Sequence, residues 1–506
     1  MPQSSSSATR RGGKACVIGA GPNGLAAAIV LAQAGMEVEV FEAEPTIGGA
    51  ARTMELTLPG FHHDFGSAVH PMAVGSPFFA SLPLQDFGLE WIHSPAPLAH
   101  PLNDGTAVVL ERDFAAAEAA LGEDGRAWRA LMEPFATRWT DLAEDILQPM
   151  LHWPRHPLLL ARFGMNALLP ATTIARRFRT APARALFAGL AAHSFLALDR
   201  PLSASFGLVL GATAHAVGWP IPRGGAQALA DALAAYLAHL GGRITTSTRV
   251  DRLHDLPSCD VILCDVTPRQ LLALTEGGTA RNGDDLAAEP AADGLSGGYR
   301  RQLGAYKYGP GAFKVDYALS RPIPWNAPKC LRAATVHLGG NLDKIAASEA
   351  AMARGETAQQ PFVLLAQPTL FDSTRAPEGK HIAWAYCHVP NGTGSEMRED
   401  VLQRIENQIE RFATGFRDTI LARHVSPPAY LEARDANLIG GDIMGGAMNP
   451  MQLAFRPTRR GYRTSAPNIY LCSASTSPGG GVHGMCGYNA ARAALRDLGH
   501  PPPPRT

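Results

Sequence analysis

Gly19, Gly21 and Gly24 fall in a G-x-G-x-x-G spacing, with Pro22 and Asn23 inside it, immediately after an apolar run that ends at Val17-Ile18. Residues of these types hold phosphate. The first glycine permits a tight turn, the second lets a pyrophosphate approach the backbone, and the third lets a helix pack close to a strand. Unpaired N–H groups at a helix N-terminus, where the dipole favours anions, then face the phosphate oxygens. Glu42 comes at about the 20-residue distance expected of an acid that accepts hydrogen bonds from an adenosine ribose. These residues predict binding of a dinucleotide.

That chemistry requires particular elements around it. Residues 17–42, VIGAGPNGLAAAIVLAQAGMEVEVFE, read as strand, glycine turn, helix and second strand, ending in the acid. Near the other end, PNIYLCSASTSPGGGVHGMCGYNAARAAL reads as a strand at 469–472, a glycine-rich loop with Gly480, Gly481, Val482 and His483, and a helix from about 484. In the middle, a proline and glycine-pair turn at 222–225 precedes Leu229, Leu233, Leu237 and Leu240 at helical spacing. Gly241-Gly242 stop that helix, and residues 243–250 alternate as a strand. SCDVILCDVTPRQLLAL continues as a further buried strand, turn and helix.

The residues after Glu42 select the dinucleotide. The continuation EAEPTIGGAAR places Ala43, then Gly48-Gly49, then Arg52, a turn that NAD does not require. It resembles the extended motif of flavoproteins in the amine-oxidase and phytoene-desaturase superfamily. The middle and final segments match the same superfamily in order, so the resemblance runs from about residue 17 to 490. Within it, GGDI…GAMNPMQLAFRP and PGGGVHGMCGYNAA look most like the phytoene-desaturase-related oxidoreductases, some of which are labelled pyridine nucleotide-disulfide oxidoreductase-domain proteins. The resemblance implies FAD, with Gly48, Gly49 and Arg52 along it, backbone groups of Val250 at the adenine, and the loop of Gly480, Gly481, Val482 and His483 beside the pyrophosphate, ribityl chain and ring. Ser473 replaces a glycine that many relatives have, so it takes no assigned phosphate contact.

The fold implied is α/β: a Rossmann-type FAD-binding domain assembled from discontinuous segments, with an α+β substrate domain of mixed sheet and helical cap. Residues 1–100, 215–300 and 430–506 are expected to form the first, around a parallel sheet, and 101–214 and 301–429 the second. AFKVDYALSRPIPW, PFVLLAQPTLFD and AWAYCHVP read as strands behind the flavin face. LHWPRHPLLLARFGMNALLPATTIARRF reads as an amphipathic membrane-surface patch, as a helical cap over an apolar tunnel, or more plainly as buried helices with basic edges.

Composition agrees. The chain has 506 residues, enough for two domains, with 45 basic and 45 acidic residues, so no global field recruits nucleic acid. Its seven cysteines include no C-x-x-C and fall mainly in apolar, strand-like runs, as small buried hydrophobes in a reducing compartment do. A disulfide reductase and a dedicated NAD(P)H domain are both disfavoured. The Ser-rich, basic start superficially resembles a leader, but cleavage in the apolar run after it would destroy the nucleotide turn. No spanning helix is expected, and the protein is expected in the cytoplasm, at most peripheral to a membrane.

The chemistry expected is oxidation of a small organic molecule, apolar or moderately polar, by hydride transfer to flavin N5. Alternatives in the same class are an amine oxidase and a flavin-dependent isomerase, and outside it a flavin-binding interaction protein without turnover. His70 in FGSAVHP and His483 in the glycine loop are the candidate catalytic groups. Asp64 and Asp442 read as structural acids, and His62-His63 lack companions at metal spacing.

Overall fold

The computed structural model describes residues 12–275, 294–501 and 503. The Ser-rich stretch at the start, expected to be disordered, and the end of the final Pro-Pro-Pro-Pro-Arg-Thr, expected to be solvated, lie outside the described residues.

Two sheets organise the chain. The first is parallel, in the spatial order Ile469–Leu471, Val261–Cys264, Lys14–Ile18, Glu37–Phe41 and Arg243–Thr245. Val261–Cys264 and residues 15–18 of the first strand are apolar throughout because helices cover both faces. The helices Pro22–Gln33, Gln227–His239 and Met485–Asp497 pack on one face, and Leu271, Leu274, Tyr299 and Leu303 on the other. Pro22 fits the first helical position, where no N–H is needed, and Gly35 ends the helix at a φ of 84°. Each fully buried Leu or Ile in this layer contributes about 1.5–3 kcal/mol relative to exposure.

Register explains why the chemistry collects at one edge. Ile18 lies opposite both Phe41 and Cys264, and Cys264 lies opposite Leu471. The next residues along the chain, Gly19, Glu42, Asp265 and Cys472-Ser473, therefore meet at the carboxyl ends of the strands, where open α/β sheets bind ligands.

The second sheet is mixed and seven-stranded, in the order Ile420–Ser426, Gly311–Leu319, His381–Val389, Val363–Ala366, Ala333–Leu338, Ala96–Pro101 and Ala107–Leu110. All pairings are antiparallel except that of Ala333–Leu338 with Ala96–Pro101. Phe313, Val315 and Tyr317 point to one face, packed on the Arg398–Phe412 helix through Ile405 and Ile409. Ala312 and Lys314 point to the other, which faces the parallel sheet across a cavity. Helices from Phe114–Leu121 to Ser203–Ala216 form a cap whose core holds Trp128, Phe135, Phe178 and Phe187.

Two details differ from the sequence expectation. The strand Ala96–Pro101 already belongs to the mixed sheet, so the first segment changes sheet before residue 96 rather than at 100. The expected strand at 243–250 ends at Thr245. Ser247, at a φ of 52°, turns the chain, and Ser247 N–H and Thr248 N–H donate to the carbonyls of Glu44 and Glu42. Residues 248–251 thus fold across the sheet edge and line the cavity.

Candidate active site

The turn after the first strand is shaped by its own backbone. Gly19 has a φ of 97°, and its N–H donates to Phe41 O at 2.8 Å. A Cβ on Gly24 would lie 2.0 Å from Gly19 O, so no side chain fits there. Gly24 itself sits beneath the cavity wall, while Gly19, Gly21, Pro22 and Asn23 line it.

Glu42 is buried and spends both oxygens on backbone: Oε2 accepts Ala20 N–H at 2.8 Å and Oε1 accepts Glu44 N–H at 2.9 Å. Its carboxylate keeps lone pairs toward the cavity, which Ala43 also lines. Gly48 shapes the next turn at a φ of 113° without lining the cavity, whereas Gly49 lines it. Arg52 is buried and works as a tie. Its Nε donates to Gly49 O at 2.7 Å, its Nη2 to Arg434 O at 2.6 Å, and its guanidinium lies 5.3 Å from the Phe65 ring centre. Val250 lines the cavity from the folded-back segment.

At the far loop, Gly480, Gly481 and Val482 line the cavity and His483 does not. His483 Nδ1 accepts the Met485 N–H at 3.0 Å, and its carbonyl accepts the Ser76 hydroxyl at 2.7 Å. That is a cap on the Met485–Asp497 helix. Burial holds its imidazole down to about 4. The geometry therefore disagrees with a proton-transfer role for His483, because the ring is turned into the helix start.

His70 is different. It is buried and lines the cavity, and apart from the nearby Ser67 backbone neither ring nitrogen has a well-formed hydrogen bond among the described residues. Burial lowers it to about 4 despite the Asp64 carboxylate nearby, so the ring is neutral at pH 7. Asp64 accepts the Thr53 hydroxyl and Ala226 N–H and pairs with Arg375 at 2.8 Å, and Asp442 accepts Gly309 and Met444 N–H groups.

Several site residues carry no motif that singles them out in the sequence. Asp265, at the end of VILCD, accepts Gly24 N–H, and burial pushes its carboxyl up to about 8, with Asp435 and Glu42 adding to the rise. An acid closing a buried apolar strand is the available signal. Lys314 and Asp316 form a buried hydrogen-bonded pair on the cavity-facing side of the mixed sheet. Burial raises Asp316 to about 6 and lowers the neighbouring His63 to about 2, a ring that Lys314 and Arg375 also discourage from charging. His193, on the helical cap, lines the cavity and shares a 3.0 Å hydrogen bond with His337. Burial lowers His193 to about 3.

The cavity encloses about 600 Å³ and runs between these groups, from the folded-back segment at Val250 to the mixed sheet. Its donor set fits a dinucleotide bearing a polar ring. Buried atoms on lining residues have no partner within the described protein: Asn23 Oδ1, Arg434 Nε and Asn437 Oδ1 on residues lining the glycine-turn side, and Thr335 Oγ1 and Trp384 Nε1 on the mixed sheet. Buried polar atoms left bare are costly, so a ligand is the natural partner.

Known proteins agree with this geometry. The model of the family described as flavin containing amine oxidoreductase matches residues 23–278. The mouse pyridine nucleotide-disulfide oxidoreductase domain-containing protein 2 is 28% identical over 565 residues, spanning 96% of this chain and 93% of that protein. The 4,4'-diapolycopen-4-al dehydrogenase of Metabacillus indicus is 30% identical over 131 residues, 25% of this chain and 26% of its own. A solved putrescine oxidase variant superposes with a TM-score of 0.60 at 14% identity, covering 97% of this chain and 99% of that one, and shows the shared fold. The chain belongs to the flavin-containing amine oxidoreductases and is an FAD-dependent oxidoreductase.

Proposed function

We propose that the protein dehydrogenates a neutral, largely apolar organic molecule. The observation that carries this reading is the make-up of the cavity's substrate end. Phe195, Phe206, Leu210 and Trp219 approach from the cap, and Trp384 and Tyr386 from the mixed sheet. On that sheet wall Lys314 lines the cavity and its partner Asp316 does not, so the ammonium stands between that carboxylate and any protonated amine. The apolar wall desolvates the guest and limits its motion.

FAD, when bound, supplies the two-electron acceptor. Gly19, Gly21, Asn23, Glu42, Gly49 and Val250 would hold its adenine dinucleotide part, and Gly480, Gly481 and Val482 the stretch toward the ring. The chain's own contribution to the reaction is exclusion of water and handling of the proton. His70 and His193 are neutral at pH 7, so the imidazole of either accepts a proton released by the substrate. The Lys314–Asp316 pair keeps the charges on that wall mutually compensated and out of solvent.

Anaerobic titration of the holoprotein tests the proposal. Panels of neutral apolar molecules and of primary amines are compared by bleaching of the flavin band. Bleaching by the neutral panel with an unsaturated product supports the reading. Bleaching by amines alone refutes it, as does product formation with the flavin left oxidised, which signals isomerisation.

A further inference from the structure

Residues 146–198 contain six arginines and no acid, in a chain whose total charge is zero. The same stretch carries most of the large apolar side chains that the described residues leave in solvent. Trp153 is 94% exposed, Leu158 86%, Met165 69%, Leu151 66% and Leu168 61%. Trp153 and Leu151 lie in the loop before the Pro157–Ala167 helix, and Leu158, Met165 and Leu168 lie at helical spacing along its outer face. The inner face of that helix is satisfied by Leu159, Phe163 and Ala167 in the core. The outer apolar stripe is therefore surplus to folding. Arg155 and Arg179 are paired with Glu144 and Glu123, whereas Arg162, Arg176 and Arg177 are exposed and touch no carboxylate among the described residues.

We propose that this loop and helix form a docking surface for an anionic lipid bilayer. An amphipathic element of this kind lies in the plane of the membrane, with tryptophan and leucine in the acyl boundary and arginines at the headgroups. No described helix is long and apolar enough to cross a membrane, so the contact is superficial. Charge complementarity selects the lipid. Three arginines without acidic partners among the described residues meet a negative headgroup layer, each adding about a fivefold gain in partition at low salt. A second copy of the chain would instead bring the same arginines against one another.

The surface also continues into the cavity wall. Leu168 O and Leu169 O accept N–H groups of Leu202 and Ala204, at the start of the Ser203–Ala216 helix. Phe206 and Leu210 of that helix line the cavity. Docking thus brings a lipid phase next to the chamber that takes an apolar guest. This link to substrate rests on the function proposed above, whereas docking itself does not.

Sedimentation of the flavin-loaded protein with vesicles tests it. Vesicles of equimolar phosphatidylcholine and phosphatidylglycerol should bind the protein about 100-fold better than pure phosphatidylcholine vesicles, three fivefold steps, with the difference shrinking at high salt. Trp153→Ser with Leu158→Ser should abolish binding, and Arg162→Gln with Arg176→Gln should weaken it roughly 25-fold, two fivefold steps. Both pairs are exposed, so flavin content and thermal midpoint should stay at the parent values. No sedimentation with anionic vesicles, or equal sedimentation of the serine pair, overturns the proposal. So does a concentration-dependent dimer that the serine pair dissolves, without vesicle binding. None of these readouts involves turnover, so a failed bleaching experiment leaves them intact.

Discussion

Asp265 Oδ2 accepts the backbone N–H of Gly24 at 2.8 Å, so a buried carboxyl supports the glycine turn from below. The relationship joins the two central strands at their carboxyl ends, and it sets a condition on pH. Burial raises Asp265 to about 8, from an ordinary 3.8. Between those values the folded protein holds a proton that the unfolded chain releases. The stabilisation is complete below the unfolded value and is lost as pH rises through about 8. Asp265→Asn keeps an acceptor for Gly24 and cannot ionise. Its thermal midpoint should therefore fall less than the parent's between about pH 6 and pH 9. Parallel slopes for the two proteins would show that this carboxyl does not titrate there.

Gly24→Ala should be severe despite adding one methyl. The new Cβ would lie 2.0 Å from Gly19 O, and that atom belongs to the turn rather than to a flexible side chain. A loss of about 1–3 kcal/mol in stability, with most of the flavin released, is expected from urea unfolding and the absorbance spectrum. Gly304→Ala, where a Cβ meets nothing within 4 Å, is the matched control and should keep its flavin.

Lys314→Met removes one member of a fully buried pair and leaves Asp316 without its cation. The expected cost is about 3–5 kcal/mol. The double substitution with Asp316→Asn should recover much of it, because two uncharged groups need no mutual compensation. A double-mutant cycle in denaturant measures the coupling, and strictly additive losses would argue that the pair is not coupled.

His70→Ala should separate chemistry from folding. The ring has no well-formed hydrogen bond to lose beyond the nearby Ser67 backbone, so stability should change by less than about 1–2 kcal/mol, while kcat falls about 100-fold or more if its imidazole takes the substrate proton. His193→Ala tests the second imidazole, whose removal also strands His337. The variant that lowers kcat at unchanged KM, on a substrate found by anaerobic bleaching, identifies the proton acceptor. Unchanged kcat in both would exclude both rings.

Much of the nucleotide half was legible in the sequence because its constraints are local. The turn at Gly19 to Gly24 must come after a strand and open a helix, and Glu42 must end the next strand. Three such patterns, far apart in the chain, each carry their own signature. Roles that depend on three-dimensional neighbours were not legible. His483 reads as a loop histidine beside the flavin, yet its Nδ1 caps a helix, a choice set by the Met485 N–H. Arg52 lines the cavity, as a ligand arginine would, but its ties to Gly49 O, Glu44 and Arg434 O depend on neighbours the motif does not name. His193 carries no signal at all, since only the approach of the cap to the mixed sheet brings it to the cavity. The strand expected at 243–250 fails at Ser247, where tertiary hydrogen bonds to residues 42 and 44 outweigh alternation.

The parallel sheet seats its last strand, Ile469–Leu471, against Val261–Cys264, which in turn touches the first. The edge position beside residue 264 thus stays open until residues 469–471 have been made. Pairings this distant in sequence close slowly, with apolar edges bare in the meantime. The loop of Gly480, Gly481 and Val482 follows that strand, so the cavity wall is completed only once residues 469–482 are in place.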